Sequence, residues 1–226
     1  MISPLFLLTL AQAEELIGAD RPSVAASSST VGQQVLQLET GVQIDGTSSE
    51  DLFFSVPTMI RYGLSDRFEV RLYANGLGYL NDRFSLSEEN SGAQAKWTIF
   101  QPEDSSVSLG LLASVDYTDQ LGSSISALLD MSFGPVAYWL NVGVSSGFSS
   151  VETLSAPYSM GVGYLFPNRH GLFLETAGQI PNTDSMSAQV GYFWLSEQMQ
   201  IDLYMQRGFS EPPHSLFALG LAYKFN

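Results

Sequence analysis

Few residues in this chain could do chemistry, and the charged ones fall in a pattern. Arg61, Arg67, Glu69 and Arg71 lie in the stretch "RYGLSDRFEVRLY" at 61–73, interleaved with Ile60, Tyr62, Phe68, Val70 and Leu72. Such alternation has the period of a β-strand with one polar and one apolar face, and a tight turn at Ser65-Asp66 joins the two runs. Carried to the other strand-like runs, the polar face also collects Glu39, Lys96, Asp116, Asp130, Glu175, Asp202 and Lys224. Two kinds of chemistry suit that set. Arg61, Arg67, Arg71 and Lys96 could line a wet interior that draws in small anions or polar aromatic solutes, as charged rings do in pores. Alternatively, they pair with Glu39, Glu69 and Glu175 in a network that fills and stiffens a narrow barrel. Pairing does not exclude passage of small solutes.

Catalytic chemistry finds little support. The chain has 2 histidines, His170 and His214, and no cysteine. His214 and Ser215 are neighbours on one strand-like run, so their side chains point to opposite faces and do not form a nucleophile–base pair. The histidines lie at no metal-binding spacing, no phosphate loop is present, and without cysteine there is no thiolate site or disulfide. No catalytic residue, metal or cofactor is expected, and a lipid-modifying enzyme is the weaker alternative.

The elements that must position the charged residues follow from composition and period. Charged residues make up 14% and apolar ones 45%, against about 25% charged in soluble domains, yet no run reaches the ~18 to 20 apolar residues of a membrane helix. The net charge of −14 excludes nucleic acid, whose phosphates need a basic surface. Period-two alternation bounded by turn residues predicts strands near 33–44, 52–63, 66–75, 93–101, 105–117, 124–132, 136–147, 157–166, 170–178, 186–195, 198–207 and 214–225. Most are close to the ~9 to 11 residues a tilted strand needs to cross a bilayer. Tight turns follow the even strands; longer, more polar links at 45–51, 76–92, 118–123, 148–156, 179–185 and 208–213 follow the odd ones. Short periplasmic turns and longer external loops are the outer-membrane barrel pattern.

The faces point the same way. Phe217, Leu219, Leu221, Tyr223 and Phe225 share one side of the last strand, and Ala218, Gly220, Ala222 and Lys224 the other. Small and polar residues on the inner side are the reverse of a soluble core and what a barrel facing lipid outward requires. Aromatic residues near strand ends, among them Tyr62, Trp97, Trp194 and Phe225, suit the headgroup levels. Acidic residues crowd the longer links, where they are solvated or hold divalent cations bridging to lipopolysaccharide. At the start, an apolar stretch ending in Ala11-Gln12-Ala13 reads as a signal peptide with its cleavage site.

Two segments resemble a known family. "ADRPSVAASSSTVGQQVLQLETGV" at 19–42 and "VPTMIRYGLSDRFEVRL" at 56–72 are similar to the outer-membrane transporters named for the meta-pathway of phenol degradation. The matching positions are Asp20, Arg21 and Pro22; Gln37, Leu38, Glu39, Gly41 and Val42; and Arg61 to Phe68 with Glu69 and Arg71. The resemblance implies an outer-membrane barrel passively passing small solutes, including aromatic or hydrophobic ones.

The sequence therefore predicts an all-β protein, a transmembrane antiparallel up-and-down β-barrel of about 12 strands in the bacterial outer membrane. Residues 1–13 are expected as a signal peptide, 14–32 as a periplasmic N-terminal extension and 33–226 as the barrel. Expected partners are outer-membrane lipid and lipopolysaccharide, the barrel-assembly machinery and a small-molecule solute. A closed structural or adhesin-type barrel acting through its external loops is the alternative.

Overall fold

The computed structural model describes residues 16–21, 23–46, 52–74, 77–80, 83–86, 91–102, 106–118, 120–147, 154–180, 185–209 and 213–225. The alternating runs become strands, and every strand is antiparallel to its neighbours. In chain order they are β1 (Leu36–Gly46), β2 (Leu52–Ser55 and Thr58–Ser65), β3 (Phe68–Ala74 and Leu77–Leu80) and β4 (Arg83–Leu86 and Ser91–Phe100). There follow β5 (Val107–Thr118), β6 (Gln120–Phe133), β7 (Val136–Gly147) and β8 (Ala156–Leu165). The last four are β9 (His170–Ile180), β10 (Ser187–Leu195), β11 (Met199–Gly208) and β12 (Ser215–Phe225). Three strands are each broken once, so 15 hydrogen-bonded runs make 12 strands. The break in β2 falls at Val56-Pro57, where proline has no N–H to give the ladder.

Closure comes from the last strand pairing with the first along its whole length, from Leu36 opposite Phe225 to Gly46 opposite Ser215. That pairing satisfies both edges of the sheet, which a membrane-spanning sheet must do. The polarity is inverted relative to a soluble protein. Leu72, Leu203 and Phe217 are each more than half exposed on the outside, whereas Arg61, Lys96 and Asp202 inside have no exposed surface.

Several connections differ from expectation. The 76–92 link is partly strand: Leu77–Leu80 pairs with Arg83–Leu86 and carries the β3–β4 hairpin beyond the expected strand ends. The 118–123 link shrinks likewise, because β5 and β6 stay paired up to Thr118 opposite Gln120. Hydrogen-bonding continues there because nothing in "TDQLG" forces the strands apart. The turn after β2 is Asp66-Arg67 rather than Ser65-Asp66, since a bulge between Gly63 and Ser65 moves the register by one residue.

The largest difference concerns the N-terminal extension. Its described part does not project away from the barrel. Residues 16–21 and 23–35 run through the half of the lumen that lies behind the short turns, then reverse into β1. The reversal uses Gly32 at φ 90° and Gln34 at φ 60°, with Gln34 N donating to Gly63 O at 2.8 Å. The proposed signal peptide, 1–13, lies outside the described residues.

Candidate functional site

The inward positions of β1 to β4 bring five expected site residues together: Glu39, Arg61, Glu69, Arg71 and Lys96. Arg61 donates to Glu39 at 2.8 Å through Nη1 and to Glu69 at 3.1 Å through Nε, and Arg71 Nε reaches the same Glu69 oxygen at 2.6 Å. Register explains the grouping: Arg61 and Arg71 are directly opposite on β2 and β3, and Glu69 sits opposite Lys96 on β4. All of these side chains are buried.

The wall alone is unbalanced. Among the described residues of the wall, Arg61, Arg71 and Lys96 form ion pairs with Glu39 and Glu69 alone, and the remaining anion is Asp20 of the N-terminal segment. Its carboxylate lies 2.5 Å from Arg71 Nη2, 3.2 Å from Lys96 Nζ and 3.6 Å from Arg61 Nη1. Ser27 N completes the set, donating to Asp20 Oδ1 at 3.0 Å. Burial would raise the Asp20 carboxyl, but Arg61, Arg71 and Lys96 hold it well below the usual carboxylate range. A like attachment in the other direction uses Lys96, which donates to the Ser29 carbonyl at 2.8 Å.

On the opposite wall the roles reverse, with barrel carboxylates accepting from the segment. Glu175 on β9 takes Val24 N at 2.9 Å and Ala25 N at 3.0 Å, as well as the Ser23 hydroxyl, and is itself oriented by Trp139 Nε1 at 2.9 Å. Asp130 on β6 accepts Ser28 N at 2.6 Å. Glu69 takes Val31 N at 2.7 Å as the chain leaves the lumen. Asp202 on β11 lies 3.7 Å from Arg21 Nη2. That guanidinium rests where two glycines face each other across the closing seam, Gly41 on β1 and Gly220 on β12. A Cβ at Gly41 would stand 2.6 Å from Arg21 Nη2, and one at Gly220 2.5 Å from Nε. A side chain at either position would push the arginine out of this place.

The remaining expected site residues stand apart from this network. Asp116 is half-buried further along β5 and holds the Tyr73 and Ser114 hydroxyls. Lys224 is half-buried on the inner face near the short-turn end, opposite Gln37. Arg67 is a correction: it was expected to point inward, but the shifted turn places it exposed at the short-turn rim. Strand parity does not govern a turn residue. Among the described residues neither Arg67 nor Lys224 forms an ion pair.

Sequence reasoning missed two parts of the site. The plugging segment, 16–35, has no period to betray it; its signal was Asp20-Arg21, two charges in an otherwise small-residue stretch. Inward aromatics were missed as well. Trp139, Phe173 and Phe193 point into the lumen, each over a glycine on the adjacent strand: Gly161, Gly191 and Gly171 respectively. The glycines make room, since a Cβ at Gly161 would lie 2.6 Å from Trp139 Nε1. An inner glycine opposite an inner aromatic was the readable sign.

The segment stands between two cavities. One, of about 700 Å³, opens on the side away from the short turns and is walled by neutral hydrogen-bonding groups such as Gln43, Gln94, Asn141, Gln179 and Tyr204. The other, of about 300 Å³, lies behind the segment against Trp139, Phe173 and Phe193. Asp20, Arg21, Ser23, Ala25 and Ala26 line both.

Comparison with known proteins adds the fold's relatives. No family model and no curated protein matches the chain. Among solved structures it is similar to the COG4313 outer membrane channel from Pseudomonas putida F1, at 12% identity and a TM-score of 0.65 over 90% of this chain and 100% of that one. The KdgM porin in complex with disordered oligogalacturonate matches at 8% identity and a TM-score of 0.63, over 84% of this chain and 99% of that one. The NanC porin matches at 7% and 0.61, over 83% and 100%. At such identities the likeness is one of fold: this chain is built as porin-type barrels of the outer membrane are built.

Proposed function

We propose that the chain is an outer-membrane channel for passive passage of small solutes, and that its N-terminal segment holds the lumen shut in this state. The observation that carries the reading is the segment 16–35 seated between two solvent cavities of an inside-out barrel, fastened by charge on opposite walls. A stiffening network alone has no need of a detachable anion: the β1–β4 cluster carries one cation too many until Asp20 arrives. In this reading the short-turn rim is periplasmic, so the segment closes the inner half of the pore. The solutes are small and include aromatic compounds, for which Trp139, Phe173 and Phe193 offer an apolar wall behind the plug. Membership in the phenol-degradation transporter family is part of this reading and rests on the motifs at 19–42 and 56–72.

The test is conductance in planar lipid bilayers. Wild-type protein is expected to be mostly closed with brief openings. The double variant Arg21→Ala/Ser28→Ala, which loosens the segment at the seam and removes the Ser28 hydroxyl's 2.7 Å bond to Asp130, is expected to raise the open fraction at least tenfold. Absence of conductance from folded protein in both forms would instead make this a closed structural barrel acting through its outer loops.

A further inference from the structure

The plug's main fastening is an occupied anion site. Arg61, Arg71 and Lys96 converge on one carboxylate, and two neighbouring wall carboxylates, Glu39 and Glu69, leave them a single positive charge to be met. Asp20 meets it from a segment that is not part of the barrel wall. Its fit to Arg71 is incomplete. Arg71 Nη2 stands 2.5 Å from Asp20 Oδ2, yet makes no hydrogen bond among the described residues. The Asp20 carboxylate is constrained by its backbone, whose N–H is tied to Glu39 at 3.2 Å, and by Ser27. A freely moving carboxylate could approach Arg71 in the planar, two-pronged geometry that guanidinium favours.

The site is also within a solute's reach. Arg61 and Lys96 are sealed behind the segment, but Asp20, Arg71 and Gln94 line the 700 Å³ cavity. Gln94 steadies the arginine, its Oε1 accepting from Arg71 Nη1 at 3.4 Å. The rest of that cavity's polar wall is largely neutral amide and hydroxyl, and its other cation, Arg21, already faces Asp202, so an anion entering it is drawn chiefly to Arg71.

We infer that Arg71, with Arg61 and Lys96 behind it, is a binding site for the carboxylate of a small solute, and that the solute opens the channel by taking the place of Asp20. The inference rests on the channel reading above and names its opening signal. Asp20 acts as a built-in stand-in for the ligand. The segment lets go because its densest set of charge contacts is transferred to the solute. What then remains is the Arg21 contact with Asp202 and single hydrogen bonds, among them those at Glu175, Asp130, Glu69, Asn141 and Ser196, each of which water can replace.

Benzoate is the probe, with benzamide as its neutral counterpart. Full-length protein in detergent micelles is titrated by calorimetry, as wild type, Asp20→Asn and Asp20→Asn/Arg71→Gln. With the stand-in gone, Asp20→Asn should bind benzoate at least tenfold more tightly than wild type. The double variant should lose that gain, and benzamide should bind none of them. In wild-type protein, benzoate should also raise proteinase K cleavage within 16–32 saturably, a readout that needs no variant to fold. Equal benzoate affinity in wild type and folded Asp20→Asn, or cleavage unchanged by benzoate, would overturn the site. Conductance separates the two ideas. A channel that opens but ignores benzoate sinks the site and leaves the channel, whereas benzoate binding and plug release without any conductance sinks the channel and leaves the site.

Discussion

At the scale of single residues, Arg61 carries the most. It is fully buried and touches Glu39, Glu69, Asp20 and the Gly18 carbonyl at once. Buried ion pairs add little over apolar packing, but removing one partner strands the others. Arg61→Met leaves three carboxylates facing two cations and is expected to cost about 3–5 kcal/mol, measured by urea unfolding in detergent. Asp20 sets the pH behaviour. Its carboxyl is depressed when docked, so its contribution is complete above the free value near about 3.9 and lost as pH falls below it. Through Asp20 the open fraction should therefore rise as pH falls below about 4, and Asp20→Asn should abolish that acid step in conductance recordings; an acid step unchanged in Asp20→Asn would contradict the assignment.

At the scale of elements, the segment 16–35 and the β1–β12 seam depend on each other. Arg21 lies in the space kept clear by Gly41 and Gly220, and Ile17 N is tied to Ser196 O at 3.0 Å beside the last short turn. Gly220→Val suits a strand by propensity, but its side chain occupies the arginine's place. The expected outcome is a barrel that keeps its heat-modifiable mobility on gels while residues 16–32 become at least fivefold more sensitive to proteinase K. Loss of the folded gel band would show that the seam needs Gly220 for closure, not for the plug. The expected tight turns and alternating strands were legible because each is local. Gly134, at φ 60° in "FGP", and Pro135 mark the β6–β7 turn within three residues. The stretch at 76–92 was misread because its turn residues signalled a loop, whereas pairing of Leu77–Leu80 with Arg83–Leu86 depends on the neighbouring strands.

At the scale of the whole molecule, inverted polarity makes a prediction that separates lipid from lumen. Leu219 is 55% exposed near the middle of β12, so Leu219→Arg should destabilise the folded barrel in bilayers by about 2–4 kcal/mol. Gln179→Arg, on the wet wall of the larger cavity, should change stability by well under half of that. Paired folding titrations into lipid vesicles measure both, and equal costs would count against a lipid-facing outside.

The sequence by itself determined the barrel. Period-two alternation names the two faces of a strand without reference to any partner, and it assigned Glu39, Arg61, Glu69, Arg71 and Lys96 to the inner one. Only the tertiary structure decided what the inner charges do. Asp20 meets Lys96 across 76 positions and Val24 meets Glu175 across 151, and no period links a strandless segment to partners so far along the chain. Whether inner cations line an open passage or clasp a plug depends on where one aperiodic stretch comes to rest. That is fixed by charge balance inside the closed barrel: five wall charges leave one cation unmet, and Asp20 is the anion that reaches it.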